Sequence, residues 1–314
     1  MVLKGKEWMT ISNNENSGIN QAKKLQELVD NRNGNSGKSY KKNTHFIAIT
    51  SGKGGVGKST ISANLAYIFA KYGYKVGIFD ADIGLANLDV LFNVRIKKNI
   101  VHVLNGQAKV KDILVQITPN LTLIPGDSGA EIFEFKDTKV FETLIEDSMM
   151  LDDLDVMIID TGAGIGEKTQ TFLDVADDII VVTIPDPAAI TDAYATIKMT
   201  SRKRDNVGMI LNQVASEREA LAIFGKIDKV AKVNIGGNLK LEYFGKVAQD
   251  SSVGISIKRR TLFVKESPYT QATQDLERVA RQLAKKLEHN ILINSAPNSS
   301  GLAGLFHRLV KHFN

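Results

Sequence analysis

Glycines, hydroxyls and one lysine are gathered in a single short run early in this chain. Gly52-Lys53-Gly54-Gly55-Val56-Gly57-Lys58-Ser59-Thr60 has the spacing G-x-x-x-x-G-K-[ST]. Such glycines let a backbone fold back until several N–H groups point at one spot, which then attracts an anion. The chemistry this serves is phosphate binding. Lys58 is placed to reach the β- and γ-phosphates of a nucleoside triphosphate, and the Ser59 hydroxyl to ligate Mg²⁺. Carboxylates with matching chemistry follow at Asp80, Asp82 and Asp160. A triphosphate site needs one carboxylate to hold the metal's water shell and another to orient an attacking water.

These side chains meet only if strands carry them to one edge. His45-Phe46-Ile47-Ala48-Ile49-Thr50 is apolar and β-branched and predicts a buried strand before the loop. Residues 62–70 predict the helix after it. Lys75-Val76-Gly77-Ile78-Phe79-Asp80 and Val156-Met157-Ile158-Ile159-Asp160 predict two more strands, each ending in a carboxylate. Further strands are expected at 121–126, 178–183, 207–212 and 241–247, with helices at 190–198 and 270–290 and a short one within 97–107. Strands alternating with helices imply an α/β fold. The expectation is a doubly wound, mostly parallel sheet flanked by helices, with ligands at the carboxyl ends of its strands. Asn212 ends one of those strands, and its carboxamide has the donor and acceptor to pair with an adenine edge.

Lys53 narrows the class. The stretch from Lys53 to Thr60 resembles the deviant phosphate loop of the MinD/ParA ATPases, whose signature lysine maps onto Lys53. The resemblance implies an ATP-dependent face-to-face homodimer in which Lys53 reaches the partner's phosphates. It marks residues Gly52, Lys53, Gly54, Gly55, Val56, Gly57, Lys58, Ser59 and Thr60 as nucleotide ligands. Asp80 to Asp89 is similar to the family's first switch, D-x-D-x-G-x-x-N-L-D. By that match Asp82 orients the water, Asp80 assists at the metal, and the segment through Asn87 lies at the dimer contact. Ser59, Asp80 and Asp160 are then the metal set, with ATP and Mg²⁺ as cofactors. Asn212 matches the family's base-reading asparagine. Val247-Ala248-Gln249-Asp250 resembles its I-P-x-D loop near adenine, with Ala248 in place of proline. Asp160-Thr161-Gly162-Ala163-Gly164 and Ile190-Thr191-Asp192-Ala193-Tyr194-Ala195 resemble the flagellar-number regulators of the family, the FlhG (FleN/YlxH) type. The turn Ile184-Pro185-Asp186-Pro187 before that helix is read as a helix start without chemistry of its own.

Charge sits at the ends. Residues 1–43 hold eight Lys/Arg against four Asp/Glu, and residues 301–314 hold Arg308 and Lys311 without a carboxylate. The net charge of +5 therefore resides in the tails, and the core is near neutral. That favours an anionic membrane surface or an acidic partner over nucleic acid. The short clusters Arg202-Lys203-Arg204 and Lys258-Arg259-Arg260 read as solvated faces.

Residues 1–43 are expected to form a flexible tail with a helix near 19–30, where Ala22, Leu25, Leu28 and Val29 share a face. This segment resembles the D-Q-A-x-x-L-R activator motif of FlhG proteins. The match implies contact with an FlhF-type GTPase through Gln21 and Leu25. Asn20 and Gln26 depart from the motif's aspartate and arginine. Residues 44–290 are the expected ATPase domain and 291–300 a linker. In 301–314, Leu302, Leu305, Phe306, Leu309, Val310 and Phe313 make one apolar stripe, expected to lie in a lipid headgroup layer or to dock on its own domain.

The sequence has no cysteine, which excludes disulfides, thiolate metal sites and the iron–sulfur chemistry of some relatives. No apolar run reaches the ~20 residues of a bilayer-crossing helix, and the first residues lack the apolar core of a secretory signal. The expected location is the cytoplasm, peripheral at the inner face of the cell membrane. Taken together, the resemblance implies a slow, partner-stimulated ATPase that regulates flagellar number and placement, with flagellar switch-ring proteins among its partners. Other readings are a septum-site or DNA-partitioning ATPase, or a nucleotide-dependent scaffold that hardly hydrolyses.

Overall fold

The computed structural model describes residues 44–82, 87–126 and 153–293, together with 304, 305, 308 and 309. Gln21, Leu25, Leu302, Phe306, Val310 and Phe313 lie outside the described residues. In chain order the elements are β1 (His45–Ser51), α1 (Lys58–Lys71), β2 (Val76–Ala81), α2 (Leu88–Phe92), α3 (Ile100–Leu104), α4 (Val110–Ile113), β3 (Val115–Thr118) and β4 (Leu121–Ile124). They continue as β5 (Val156–Ala163), α5 (Glu167–Val175), β6 (Asp178–Thr183), α6 (Pro187–Thr200), β7 (Asn206–Val214) and α7 (Glu217–Asn234). The last are β8 (Lys240–Ala248), α8 (Ser251–Lys258), α9 (Phe263–Glu266) and α10 (Gln271–Ile293).

One eight-stranded sheet runs in the order β3-β4-β2-β5-β1-β6-β7-β8. All neighbouring pairs are parallel except β3–β4 at one edge. Both faces are covered, so the central strands carry apolar runs that fill both faces instead of alternating. Along β1, Ile47 and Ile49 join the cluster that contains Leu65, Ile68 and Phe69 of α1 and Leu276, Leu283 and Leu287 of α10. The opposite face is packed by α6 and α7, where Ile197, Ile223 and Ile227 meet Val181, Met209 and Leu211. Phe79 and Phe172 meet edge to face there as well, with ring centroids 5.7 Å apart.

From β1 the chain winds outward first through β2 and later through β6, which lie on opposite sides of it. The connections therefore diverge beyond the carboxyl end of β1 and leave a crevice there, the place where open α/β sheets bind ligands. The doubly wound, mostly parallel sheet expected from the sequence is the one observed. Edge strand β3 and helices α2, α4, α5, α7, α8 and α9 are not among the elements expected from the sequence. The helix expected from 62 begins four residues earlier, at Lys58, so the phosphate-loop lysine is itself helical.

A buried asparagine ties α1 to the segment before the last helix. Asn64 Nδ2 donates to the Thr60 carbonyl at 2.8 Å, and Asn64 Oδ1 accepts from the Val264 amide at 3.1 Å. Asn64 is 1% exposed, so no water can replace it without rearrangement. Asn64→Ala leaves the Val264 N–H without a partner and is expected to cost about 1–3 kcal/mol. A urea unfolding midpoint equal to wild type contradicts this.

Candidate nucleotide-binding site

The loop after β1 makes its turn with two left-handed glycines, Gly55 at φ 81° and Gly57 at φ 88°. Gly57 is also the N-cap of α1, which carries no side-chain cap, so its first N–H groups stay open toward the crevice. A cavity of about 780 Å³ opens there, lined by Gly54, Gly55 and Gly57 to Thr60, by the carboxyl ends of β5 and β7, and by residues after β2 and β8. Gly52 has a different reason to lack a side chain. A Cβ there would stand 2.2 Å from the Asp192 carbonyl oxygen in the middle of α6. The phosphate loop thus rests directly on the backbone of that helix.

Lys58 is only 6% exposed and is held by carboxylates. Its Nζ lies 3.0 Å from Asp160 Oδ1, 3.5 Å from Asp82 Oδ2 and 3.3 Å from Ser59 Oγ. Asp160 also accepts the Ser62 hydroxyl at 2.8 Å, while its other oxygen, Oδ2, is buried with no hydrogen-bond partner. Asp80 is the register partner of Asp160 on the adjacent strand. Its Oδ2 accepts the amides of Asn87 and Leu88, both at 3.1 Å. Burial, and then the charge of Asp160, push the Asp80 carboxyl up to about 7, against backbone hydrogen bonds from Leu88 and Asp82. Burial also raises Asp82, with Lys58 opposing. Two carboxylates crowded beside one buried cation have an unmet need for positive charge.

That need fits Mg²⁺. The oxygens are hard ligands, Asp160 Oδ2 is unspent, and Ser59 stands beside Lys58. Among the described residues no cluster of three or more His, Cys, Asp or Glu could hold a metal alone. Mg²⁺ does not require one, since it keeps waters and takes further ligands from phosphate.

The loop after β5 is fastened to the phosphate-loop strand. Thr161 Oγ1 donates to the Ile49 carbonyl at 3.1 Å, and the Gly164 amide to the Ser51 carbonyl at 2.7 Å. Lys53 stands at the rim, about half exposed, with Nζ 3.2 Å from Asp186 Oδ1. That same oxygen caps α6 by accepting the Ala189 amide at 2.8 Å. The Ala189 amide, and then Lys53, keep the Asp186 carboxyl below its ordinary value. Asn212 and Asp250 both line the cavity, and Asp250 caps α8 through the Ser252 amide at 2.9 Å.

The structure thus brings Gly54, Gly55, Gly57, Lys58, Ser59, Thr60, Asp82, Asn212 and Asp250 to one cavity. Gly52, Lys53, Val56, Asp80 and Asp160 do not line it, although Asp160 bonds Lys58 and is the register partner of Asp80. Of the C-terminal stripe, Leu305 and Leu309 are fully buried against the domain. Between them Arg308 lies 4.5 Å from the centre of the Phe46 ring and donates to Asp177 Oδ1 at 2.7 Å and to the Val175 carbonyl at 2.9 Å. Arg204 of the first basic cluster is spent on the carbonyls of Asp174 and Ala176, while Lys258 and Arg260 of the second remain exposed.

Two contributors escaped the sequence reading. Ser62 lies one helical turn after Lys58, and a small hydroxyl at that spacing in an apolar helix was the available signal. By sequence Asp186 belongs to a turn without chemistry of its own. An Asp-Pro pair at a helix start does signal a cap, but its ion pair with Lys53 spans 133 residues.

A P-loop NTPase is the class that this sheet and site define, and comparison with known proteins narrows it. A family profile described as ParA, NUBPL iron-transfer P-loop NTPase, matches residues 42–284. The chain belongs to the ParA family of P-loop NTPases. It is 47% identical over 294 residues to the flagellum site-determining protein YlxH of Helicobacter pylori, covering 93% of this chain and 99% of that one. It is 32% identical over 240 residues to the antiactivator FleN of Pseudomonas aeruginosa, covering 76% of this chain and 85% of FleN. The septum site-determining protein MinD of Pyrococcus horikoshii, solved in complex with Mg-ADP, superposes with a TM-score of 0.62 at 25% identity, over 77% of this chain and 97% of that one. The resemblance to MinD/ParA proteins, and to their flagellar members, holds at this level. Iron transfer belongs to the profile's description; this sequence has no cysteine to supply a thiolate.

Gly52→Ala is expected to separate the phosphate loop from α6, because the new Cβ would overlap the Asp192 backbone. The cost of such overpacking is roughly 1–3 kcal/mol. Chemical denaturation should show it, together with weaker nucleotide binding; a variant matching wild type in both measurements rules out the contact.

Proposed function

We propose that this chain is an ATP-driven dimerisation switch that regulates where and how many flagella are built. The observation that carries the chemistry is Lys58, buried at the head of α1 and held 3.0 Å from Asp160, with Asp80 and Asp82 beside it. Without a triphosphate, these carboxylates satisfy the lysine. With one, Lys58 turns to the β- and γ-phosphates, and Ser59, Asp80 and Asp160 are freed to hold Mg²⁺ and its waters. Held by Ser59, Asp80 and Asp160, Mg²⁺ would supply positive charge to offset the negative charge that develops at the phosphates. Asp82 orients the attacking water, and Lys53 leaves Asp186 to reach the phosphates of a second copy across a two-fold axis. Asn212 and Asp250 border the adenine. Hydrolysis is slow, because the site is complete only in the pair and under a partner's influence.

The flagellar assignment rests on the 47% identity to a protein named for flagellum site determination. An FlhF-type GTPase engaged by Gln21 and Leu25, and switch-ring proteins, are the proposed partners. The proposed membrane element is 301–314, working at the inner face of the cell membrane. No helix among the described residues is long and apolar enough to cross a membrane, so attachment would be peripheral. The burial of Leu305 and Leu309 suits a resting form in which the stripe is kept from lipid. Two copies released together in a dimer would hold a vesicle far better than one.

Asp82→Ala is expected to bind ATP and remain dimeric, because water is no longer oriented for attack. Sedimentation of that variant with Mg-ATP as a monomer contradicts the assignment. Removal of residues 301–314 is expected to abolish ATP-dependent pelleting with anionic vesicles while dimerisation persists. Undiminished pelleting assigns lipid contact to another surface.

A further inference from the structure

A bulge in β7 aims one side chain back at the phosphate loop. The β7–β8 pairing shifts register between Leu211 and Val214, and within that shift Gln213 is left-handed at φ 54°. A non-glycine residue held there costs energy that its surroundings must offset. What the distortion achieves is the pose of Asn212. The Gln213 amide donates to Asn212 Oδ1 at 2.9 Å, which fixes the carboxamide plane. Asn212 Nδ2 then donates to the Val56 carbonyl at 2.8 Å, across 156 residues of chain.

Val56 is also buried by its side chain, at 2% exposure, so its peptide is held from two directions. Gly57 completes the contact. A Cβ on it would lie 2.4 Å from Asn212 Nδ2, so the glycine leaves room for the amide as well as adopting φ 88°. We infer that Asn212 is a positioning residue that braces the phosphate loop, acting through the Val56 carbonyl whatever base the nucleotide carries. The inference rests on the reading of this cavity as a triphosphate site. It extends that reading, in which Asn212 only borders the base. One N–H and one oxygen lone pair of the carboxamide remain, so base contact and bracing are compatible. A base that engages Asn212 would then tighten the loop that holds its own phosphates.

The test has a ligand-free arm and a ligand arm, both on the full chain. In the ligand-free arm, hydrogen exchange is followed in Asn212→Ala, and in Gly57→Ala as an independent way to displace the amide. The reporter is the Ile61 amide, which bonds the Gly57 carbonyl at 2.9 Å. Loss of one buried hydrogen bond predicts exchange there about fivefold faster or more, with the β6–β7 amides unchanged. Wild-type exchange at Ile61 in both variants overturns the inference. In the ligand arm, binding of Mg-ATP and of magnesium tripolyphosphate, which has no base, is compared for wild type and Asn212→Ala. A brace predicts weaker binding of both, by about fivefold or more. Loss confined to ATP overturns the inference and leaves Asn212 as a base contact. Failure of wild type to bind Mg-ATP overturns the reading of the cavity, while the exchange arm still judges the brace alone.

Discussion

Everything in this site depends on one buried cation. Lys58 sits at the start of α1 because Gly57 turns the chain into the helix there, and the sheet brings Asp160 to within 3.0 Å of it. A lysine this enclosed cannot stand without a counter-charge. Burial first, and then the charge of Asp160, push the Asp80 carboxyl up even with the lysine nearby. The arrangement is balanced without a ligand and is still chemically unfinished, because Asp160 Oδ2 has no partner. A divalent cation arriving with a triphosphate would supply positive charge to these carboxylates, and Lys58 would be free to turn to the phosphates.

The loop that carries the lysine is held on several sides. Gly52 rests on α6, Val56 is bound by Asn212 from β7, and the switch loop after β5 is fastened to Ser51 of β1. Each contact comes from a different strand–helix unit. A change in any of those units therefore reaches the phosphate loop through a hydrogen bond or a backbone contact. Lys53 is the exception, since it projects from the rim and is held only by an exposed ion pair with Asp186. Such pairs contribute little to stability, so the lysine is free to exchange one anion for another.

The opposite end of the sheet has its own charged cluster. Arg308 stacks on Phe46 at the start of β1 and pairs with Asp177 just before β6, between the buried Leu305 and Leu309. At its other end β1 leads into the phosphate loop. The C-terminal residues and the phosphate loop thus share β1 as a common support.

Much was legible in the sequence because its signals are local. The glycine spacing, the apolar runs ending in Asp80 and Asp160, and the strand–helix alternation needed no long-range information to predict an α/β sheet with a phosphate loop. Composition alone excluded thiolate chemistry. What only the tertiary structure decided were pairings across large sequence distances. Lys53 meets Asp186, Asn212 meets Val56, and Arg308 meets Asp177, each across more than a hundred residues. The reason that Gly52 and Gly57 must be glycine is of the same kind. The motif explains them by backbone freedom, yet it is the nearness of Asp192 and of Asn212 that leaves no room for a side chain. Periodicity and motif describe what a segment can do by itself. Which partner fills the space beside it is fixed only when the sheet order puts distant strands side by side.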